Sequence, residues 1–456
     1  MRSASGATAP GRVHAVSPLR LLLAPHAREG VRQGHQPDVA TRIYPGVQRP
    51  IAIVFRYVDA KLGTFFITMR EVAMPAEAFE PASEELSDRL TSLLTRSVDR
   101  RRHVRHGALA VARVDGAWQW HGAHGMANVA GTPMTTTTRY PIASVTKLFT
   151  STVTMLLCER GRLELTDRIV DLLPDSVTDR LHVLDGVDRT ASVTVEHLLS
   201  HTSGLPDYYE EAPKGGRSAE ARLLSGEDAP VPFDEVVRLV RDELTPHFPP
   251  QDVDAPKRRA RYADTNFQLL GAVLEAVTGQ PLPTLFDTLL LRPLALDDTA
   301  SYPNAPRSGA SPEPGTDVWA KDTVLRPTGV LRHQVPDGGI ISTLGDQIRF
   351  MRAIVAGEVF ADPSTWERMQ AHPSKIFFPV EYGLGVMRYA PARWMSPLFA
   401  IPSMVGHTGS TATWLFHCPD LGVVLAGTFD VAQPPLPFRF LPQVLRAVAA
   451  TDRKQR

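Results

Sequence analysis

Ser144-Val145-Thr146-Lys147 puts an alcohol and an amine three residues apart at the head of an apolar run. If that run is helical, the two side chains share one face, a turn apart. A serine hydroxyl is a weak nucleophile at neutral pH and must lose its proton as it attacks a carbonyl. A lysine in a partly desolvated cleft has a lowered pKa and can accept that proton, which arginine cannot. Of the 49 Lys and Arg residues only seven are Lys, and Lys147 alone follows a serine by three positions. A helix start adds a positive field and a free Ser144 N–H, both suited to a developing oxyanion. In isolation, the pattern equally describes an ordinary helix start with a serine cap and a snorkelling lysine.

Two further segments offer what such a pair lacks. Tyr262-Ala263-Asp264 leads into Thr265-Asn266-Phe267-Gln268-Leu269-Leu270-Gly271, the opening of another helix. A tyrosine there reaches into a cleft and, with a depressed pKa, relays a proton to a leaving group. The plainer reading is a half-buried aromatic. His407-Thr408-Gly409-Ser410 opens a strand pair. Gly409 admits a substrate close to the strand edge, and the Ser410 N–H is a second oxyanion donor. The plainer reading is a sheet-entry turn.

The elements that must position these groups follow from periodicity. Ser83 starts a helix with Glu84 and Glu85 in its first turn, and Leu86, Leu90, Leu93, Leu94 and Val98 form its apolar face. Gly107 to Val114 and Ala117 to His121 are strands joined at Asp115-Gly116. Ser144 to Glu159 is an apolar helix ending at Gly161. Ala412 to His417 and Val423 to Phe429 are strands about the turn Pro419-Asp420-Leu421-Gly422, and Leu441 to Ala450 is a closing helix. Strands at both ends with helices between predict an α+β sandwich: an antiparallel sheet built from both chain ends, flanked by helices, with an inserted, mostly helical domain. The expected limits are a catalytic domain over 76–450, its helical part at about 165–320, and a tail at 451–456. Residues 1–75 are expected to be a disordered or weakly structured extension, with a hairpin over Ile51 to Thr68 and a natural start near Met74.

Taken together, the three motifs resemble the serine β-lactamase and penicillin-binding-protein superfamily, and its class C-like branch of D-alanyl-D-alanine carboxypeptidases, D-aminopeptidases and esterases. The family order Ser-x-x-Lys, Tyr-x-Asn, Lys/His-Thr-Gly stands here as Ser144/Lys147, Tyr262/Asp264 and His407/Thr408/Gly409. Val195 to Leu205, Gly338 to Thr343 and Tyr382-Gly383-Leu384-Gly385 also look like the family, so the resemblance spans roughly 84–450. It implies that Ser144 is the nucleophile, Lys147 its base, and Tyr262 an assistant in proton transfer. The N–H groups of Ser144 and Ser410 then form the oxyanion hole. Two positions depart from the best-known lactamases. Asp264 stands for Asn, and an ionised Asp holds Lys147 more strongly in its charged form. His407 stands for Lys and is expected to be partly charged near neutral pH. Both changes argue against efficient β-lactam hydrolysis. The expected function is a serine hydrolase acting through an acyl-enzyme on ester or amide bonds of a small-molecule or short-peptide substrate. The alternative is a penicillin-sensing or catalytically weak binding protein of the same fold.

Charge and composition narrow the partners. Lys+Arg and Asp+Glu both number 49, so no concentrated basic face is expected for nucleic acid. The cluster Lys257-Arg258-Arg259 with Arg261 reads as a solvated loop. Cys158 and Cys418 make no disulfide framework, and Cys158 reads as a buried small hydrophobe. Leu19 to Ala24 is too short for a secretory core, and Ile51 to Met69 carries Arg56, Asp59 and Lys61, so a cytoplasmic protein without a membrane span is expected. No cofactor is expected. His197 and His201 have the i, i+4 spacing of a zinc pair, but Glu196 precedes the first His, so no metal site is expected. Gly-x-Ser-x-Gly and phosphate-loop motifs are absent.

Overall fold

The computed structural model describes residues 51–59, 64–71, 80–252, 255, 257–395 and 400–455. Most of the expected extension over 1–75, including the Leu19 to Ala24 stretch and the expected start near Met74, lies outside these. The strands Ile51–Asp59 and Thr64–Glu71 pair antiparallel, Ile51 opposite Glu71, in a unit distinct from the rest of the described chain.

In the second unit, nine strands form one sheet among the described residues. Its spatial order is Ser374–Phe377, Val380–Tyr382, Met387–Tyr389, Met404–Thr408, Thr413–Cys418, Val423–Thr428, His106–Arg113, Trp118–Gly125 and Glu80–Pro81. All pairings are antiparallel except the last, which is parallel. The chain ends meet where Val423–Thr428 pairs with His106–Arg113, Val423 opposite Arg113. The hairpin turn holds because Gly116 takes a positive φ of 79° and Asp115 accepts from the Ala117 N–H at 3.1 Å.

Each central strand has two apolar faces, so the sheet is covered on both sides. Leu109, Val111, Trp414, Phe416, Val423 and Leu425 face one core; Ala108, Ala110, Ala112, Leu415, Val424 and Ala426 face the other. Helices Glu84–Asp99 and Leu436–Gln455 cover the first face. Ser83 caps the former, accepting from the Leu86 N–H at 3.4 Å, and Leu86, Leu90, Leu94 and Val98 are buried. The terminal helix starts earlier than Leu441, because Leu436 and Phe440 extend its buried face, and it runs past Ala450 to Gln455 with Thr451 also buried. On the second face, small alanines let helix Leu344–Val355 lie close, and the remaining helices build outward from there.

Two local expectations need correction. Cys158 is half-buried rather than buried. The basic cluster is not simply solvated: the Arg258 side chain is 6% exposed and pairs with Glu196 at 3.5 Å, and Arg261 pairs with Glu211 at 3.2 Å. Among the described residues, no helix is long and apolar enough to cross a membrane.

Candidate active site

Ser144 is positioned by a turn clamped from two sides. Tyr140–Pro141 pairs with Ile340–Ser342, and the Ile142 N–H donates to Ile340 O at 3.0 Å. The chain then tightens into a 3-10 turn, Ala143–Val145, before helix Thr146–Glu159 begins. Ser144 therefore sits just ahead of the α-helix rather than in its first turn. Ala143 is held at φ +46°, a strained value for a residue with a Cβ. The strand side supports that strain: Thr413 Oγ1 donates to Ile142 O at 2.9 Å. A Cβ on Gly409 would stand 2.1 Å from Thr413 Oγ1 and 2.8 Å from Ala143 Cβ. The missing side chain thus makes room for the nucleophile turn, not for a substrate as the sequence suggested.

Lys147 is fully buried, so it does not snorkel. Its Nζ donates to Ser144 Oγ at 3.2 Å and to the Asp337 carbonyl at 2.9 Å, and lies 2.5 Å from Asp264 Oδ1. The same nitrogen sits 5.1 Å from the Tyr262 ring centre and 5.4 Å from that of Phe267. Burial alone works against its charge. The carboxylates of Asp264, then Asp337, outweigh burial and hold the amine above its ordinary pKa. The lowered pKa expected from desolvation is therefore corrected: Lys147 is an ammonium at neutral pH.

Asp264 begins helix Asp264–Thr278, and its N–H donates to Asp207 Oδ2 at 3.2 Å. Behind it lies a layer of buried acids that no motif announced. Asp337 accepts from Tyr208 Oη at 3.1 Å and from Gln268 Nε2 at 3.2 Å, and burial with the Asp264 charge pushes its carboxyl up to about 8. Burial and Asp264 also push Asp207 well above the carboxylate range. Tyr262 Oη is shielded from solvent. Burial, then Asp264, drive its pKa well above the usual value, and the Ser144 hydroxyl opposes them only in part. The expected depressed tyrosine is thus corrected to a phenol that keeps its proton.

His407, Thr408, Gly409 and Ser410 form the opposite wall at the end of strand Met404–Thr408. His407 is fully buried, with Nε2 3.0 Å from Tyr382 Oη and Nδ1 2.7 Å from Thr408 O. Burial and the Lys147 charge push its pKa down to about 3, so it is neutral rather than partly charged. Thr408 Oγ1 donates to Met387 Sδ at 3.6 Å. Ser410 is half-buried on the cleft wall, and among the described residues its N–H, like that of Ser144, is not spent on a turn or loop carbonyl. His201 packs its ring 4.4 Å from both Tyr262 and Tyr382. Tyr382 and His201 lie in family-like stretches, but the sequence marks His201 only as half of a zinc-like pair and gives Tyr382 no role.

Of the two histidines with zinc-like spacing, His197 has both ring nitrogens engaged, whereas the buried His201 Nε2 has no hydrogen-bond partner among the described residues. His197 Nδ1 accepts from the Thr194 N–H at 3.0 Å and its Nε2 lies 2.5 Å from Gln251 O. His201 Nδ1 accepts from the Ala263 N–H at 3.2 Å and lies 3.0 Å from Asn266 Nδ2.

A helix-covered antiparallel sheet with an alcohol–ammonium pair against its strand edge defines a narrow class of proteins. A family profile described as Beta-lactamase matches residues 84–450, and the chain belongs to that family. Esterase EstB of Burkholderia gladioli is 32% identical over 54% of this chain and 59% of its own length. The D-alanyl-D-alanine-carboxypeptidase/endopeptidase AmpH of Escherichia coli K12 is 25% identical over 64% and 69%. The crystal structure of D-amino acid amidase from Ochrobactrum anthropi SV3 complexed with D-phenylalanine superposes with a TM-score of 0.64 at 21% identity, covering 81% of this chain and 100% of that one. The chain thus spans about six-tenths of the length of EstB, the first of these relatives.

Proposed function

We infer that this protein is a serine hydrolase that forms an acyl-enzyme through Ser144. One observation carries the reading: Lys147 Nζ stands 3.2 Å from Ser144 Oγ while ion-paired at 2.5 Å with Asp264. An ammonium cannot accept a proton unless it first gives one up. Lys147 hands a proton to Asp264 and, with its lone pair freed, takes the Ser144 proton as Ser144 Oγ attacks the carbonyl carbon. The oxyanion is met by the N–H groups of Ser144 and Ser410. Tyr262 donates its retained proton to the leaving group and is reprotonated through Lys147. Water then attacks the acyl carbon and the same relay runs in reverse, regenerating Ser144. The substrates are small esters or amides, the chemistry shared by the names of the relatives.

The test is labelling and turnover. A fluorophosphonate probe is expected to modify Ser144, and p-nitrophenyl butyrate hydrolysis is expected to vanish in Ser144→Ala. Near-wild-type hydrolysis by that variant refutes the assignment. A penicillin adduct that never leaves, with no turnover of any ester or amide, makes the protein a sensor instead.

A further inference from the structure

The cleft beside the nucleophile turn, about 650 Å³ in volume, is walled by segments far apart in sequence. Ala143, which precedes Ser144, and Ser410, which carries the second oxyanion amide, both line it, so a group filling this space sits next to the reacting carbonyl. One side carries Leu223 of helix Ala219–Leu224; the other carries Val330 and Leu331 of helix Thr328–His333. Each side is tied to a different part of the molecule. The Glu220 N–H donates to Tyr209 O at 2.9 Å, which holds the first helix to the chain just beyond Asp207. Ahead of the second helix, the Trp319 N–H donates to Asp430 O at 2.8 Å and the Ala432 N–H to Trp319 O at 2.7 Å. Those bonds hold the second side to the chain that follows strand Val423–Thr428.

Asp228 joins the two sides. The first N–H groups of helix Thr328–His333 have no partner within the helix, and Pro327 ahead of it offers no side-chain cap. The Asp228 carboxylate, 100 residues before Thr328, fills that role from the other side of the cleft. The Gly329 N–H donates to its Oδ2 at 2.6 Å, the Val330 N–H to Oδ1 at 2.9 Å, and Thr328 Oγ1 to Oδ2 at 3.3 Å. A negative charge also suits a helix N-terminus. Gly329 leaves the room: a Cβ there would stand 3.0 Å from Asp228 Oδ2. Among the described residues, every hydrogen bond between 217–232 and 316–335 ends on Asp228. Otherwise the two sides share one buried aliphatic cluster, with Leu223 and Val231 from one and Leu325 and Val330 from the other. Aliphatic contact is non-directional and fixes a spacing less sharply than three aimed hydrogen bonds. Asp228 itself is exposed and lines no part of the cleft, so it acts on shape rather than on proton transfer.

We propose that Asp228 is a positioning residue that sets the width of this cleft, and thereby the length of acyl chain that the enzyme prefers. This rests on the serine-hydrolase reading and adds a determinant of its specificity. With the clamp closed, Leu223 and Val330 keep a fixed separation, and a chain that fits between them meets both without first ordering the walls. With the clamp open, each binding event carries that ordering cost, and longer chains that the narrow cleft excludes are admitted.

The probes are p-nitrophenyl esters from acetate to decanoate. Wild-type enzyme is expected to show a defined chain-length optimum. In Asp228→Ala the ratio of kcat/KM for the optimal ester to that for acetate is expected to fall by ~10-fold, chiefly through KM. The optimum should move to longer chains, with both limbs of the pH–rate profile in place. Asp228→Asn keeps one acceptor oxygen and should fall between the two. Gly329→Ala presses on the same carboxylate from the helix side, should shift the ratio in the same direction, and decides the matter if Asp228→Ala does not fold. A wild-type profile without chain-length preference, an unchanged profile in the variant, or an equal loss with every ester overturns the role of Asp228. p-Nitrophenyl acetate separates the two readings. If its hydrolysis needs Ser144 but the chain-length profile stays put in Asp228→Ala, only Asp228's role falls; if Ser144→Ala hydrolyses it as well as wild type, the underlying chemistry falls with it.

Discussion

The two walls of the cleft solve different problems. The helix wall, with Lys147, Asp264, Asp207 and Asp337, concentrates ionisable groups where water does not reach. The strand wall, His407 to Ser410, is electrically quiet: its histidine is neutral, its threonine turns to a methionine, and its glycine exists for close approach. One wall stores and moves protons; the other holds the nucleophile turn in a strained shape and offers an amide dipole. The lesson is that charge and geometry are supplied by different parts of the chain. Substitutions on the two sides should therefore fail in different ways.

The sharpest break is Lys147→Met. It removes the relay and leaves Asp264 without its cation. Activity should fall by ~10²–10⁴-fold, and breaking the buried pair should cost about 3–5 kcal/mol of stability. Ester kinetics with urea unfolding read both, and a loss of activity without any loss of stability would contradict the buried ion pair.

Asp264→Asn asks whether the carboxylate is a proton acceptor or only an anchor. As an acceptor, its loss should lower kcat by about 10–100-fold. If it only anchors, its removal lowers the Lys147 pKa and moves the acid limb of the pH–rate profile to lower pH with kcat kept. The full profile from pH 5 to 10 separates these outcomes.

On the strand wall, Gly409→Ala should act through shape. Its Cβ meets Thr413 and Ala143 at contact-violating distances, so the nucleophile turn must shift. We expect ~10-fold lower kcat and about 1–3 kcal/mol of lost stability, with an unaltered pH profile. A displaced pH limb would show that the strand wall carries charge after all.

The last effect concerns stability alone, with no change expected in turnover. Asp337 has its folded-state pKa raised to about 8, so the native state binds more protons than the unfolded chain from roughly pH 4 upward. That contribution is fully present below the unfolded pKa and is lost as pH rises through about 8. Asp337→Asn should flatten the decline in Tm between pH 4 and 8, measured by thermal denaturation at several pH values. An unchanged slope would place the titration elsewhere.

Local features were legible wherever a physical period or a turn signal was present. The Leu86, Leu90, Leu94 and Val98 stripe marked the first helix, and Asp115-Gly116 marked the hairpin. Thr413–Cys418 and Val423–Thr428 lie within a residue of their expected limits because β-branched and apolar runs bounded by Pro419 and Gly422 admit little else. The acid layer was not legible. Asp337 contacts Lys147 across 190 residues of chain and Asp207 contacts Asp264 across 57, so no local pattern links them.

By itself the sequence determined which groups are available: an alcohol, an amine, a phenol and a strand edge, in an order resembling that of a known family. Only the tertiary structure decided their protonation. A pKa answers to distance and burial, and both are set by what the fold brings alongside. Asp264 and Asp337 beside Lys147 outweigh its burial and keep it an ammonium, and burial leaves the Tyr262 phenol protonated and the His407 ring uncharged.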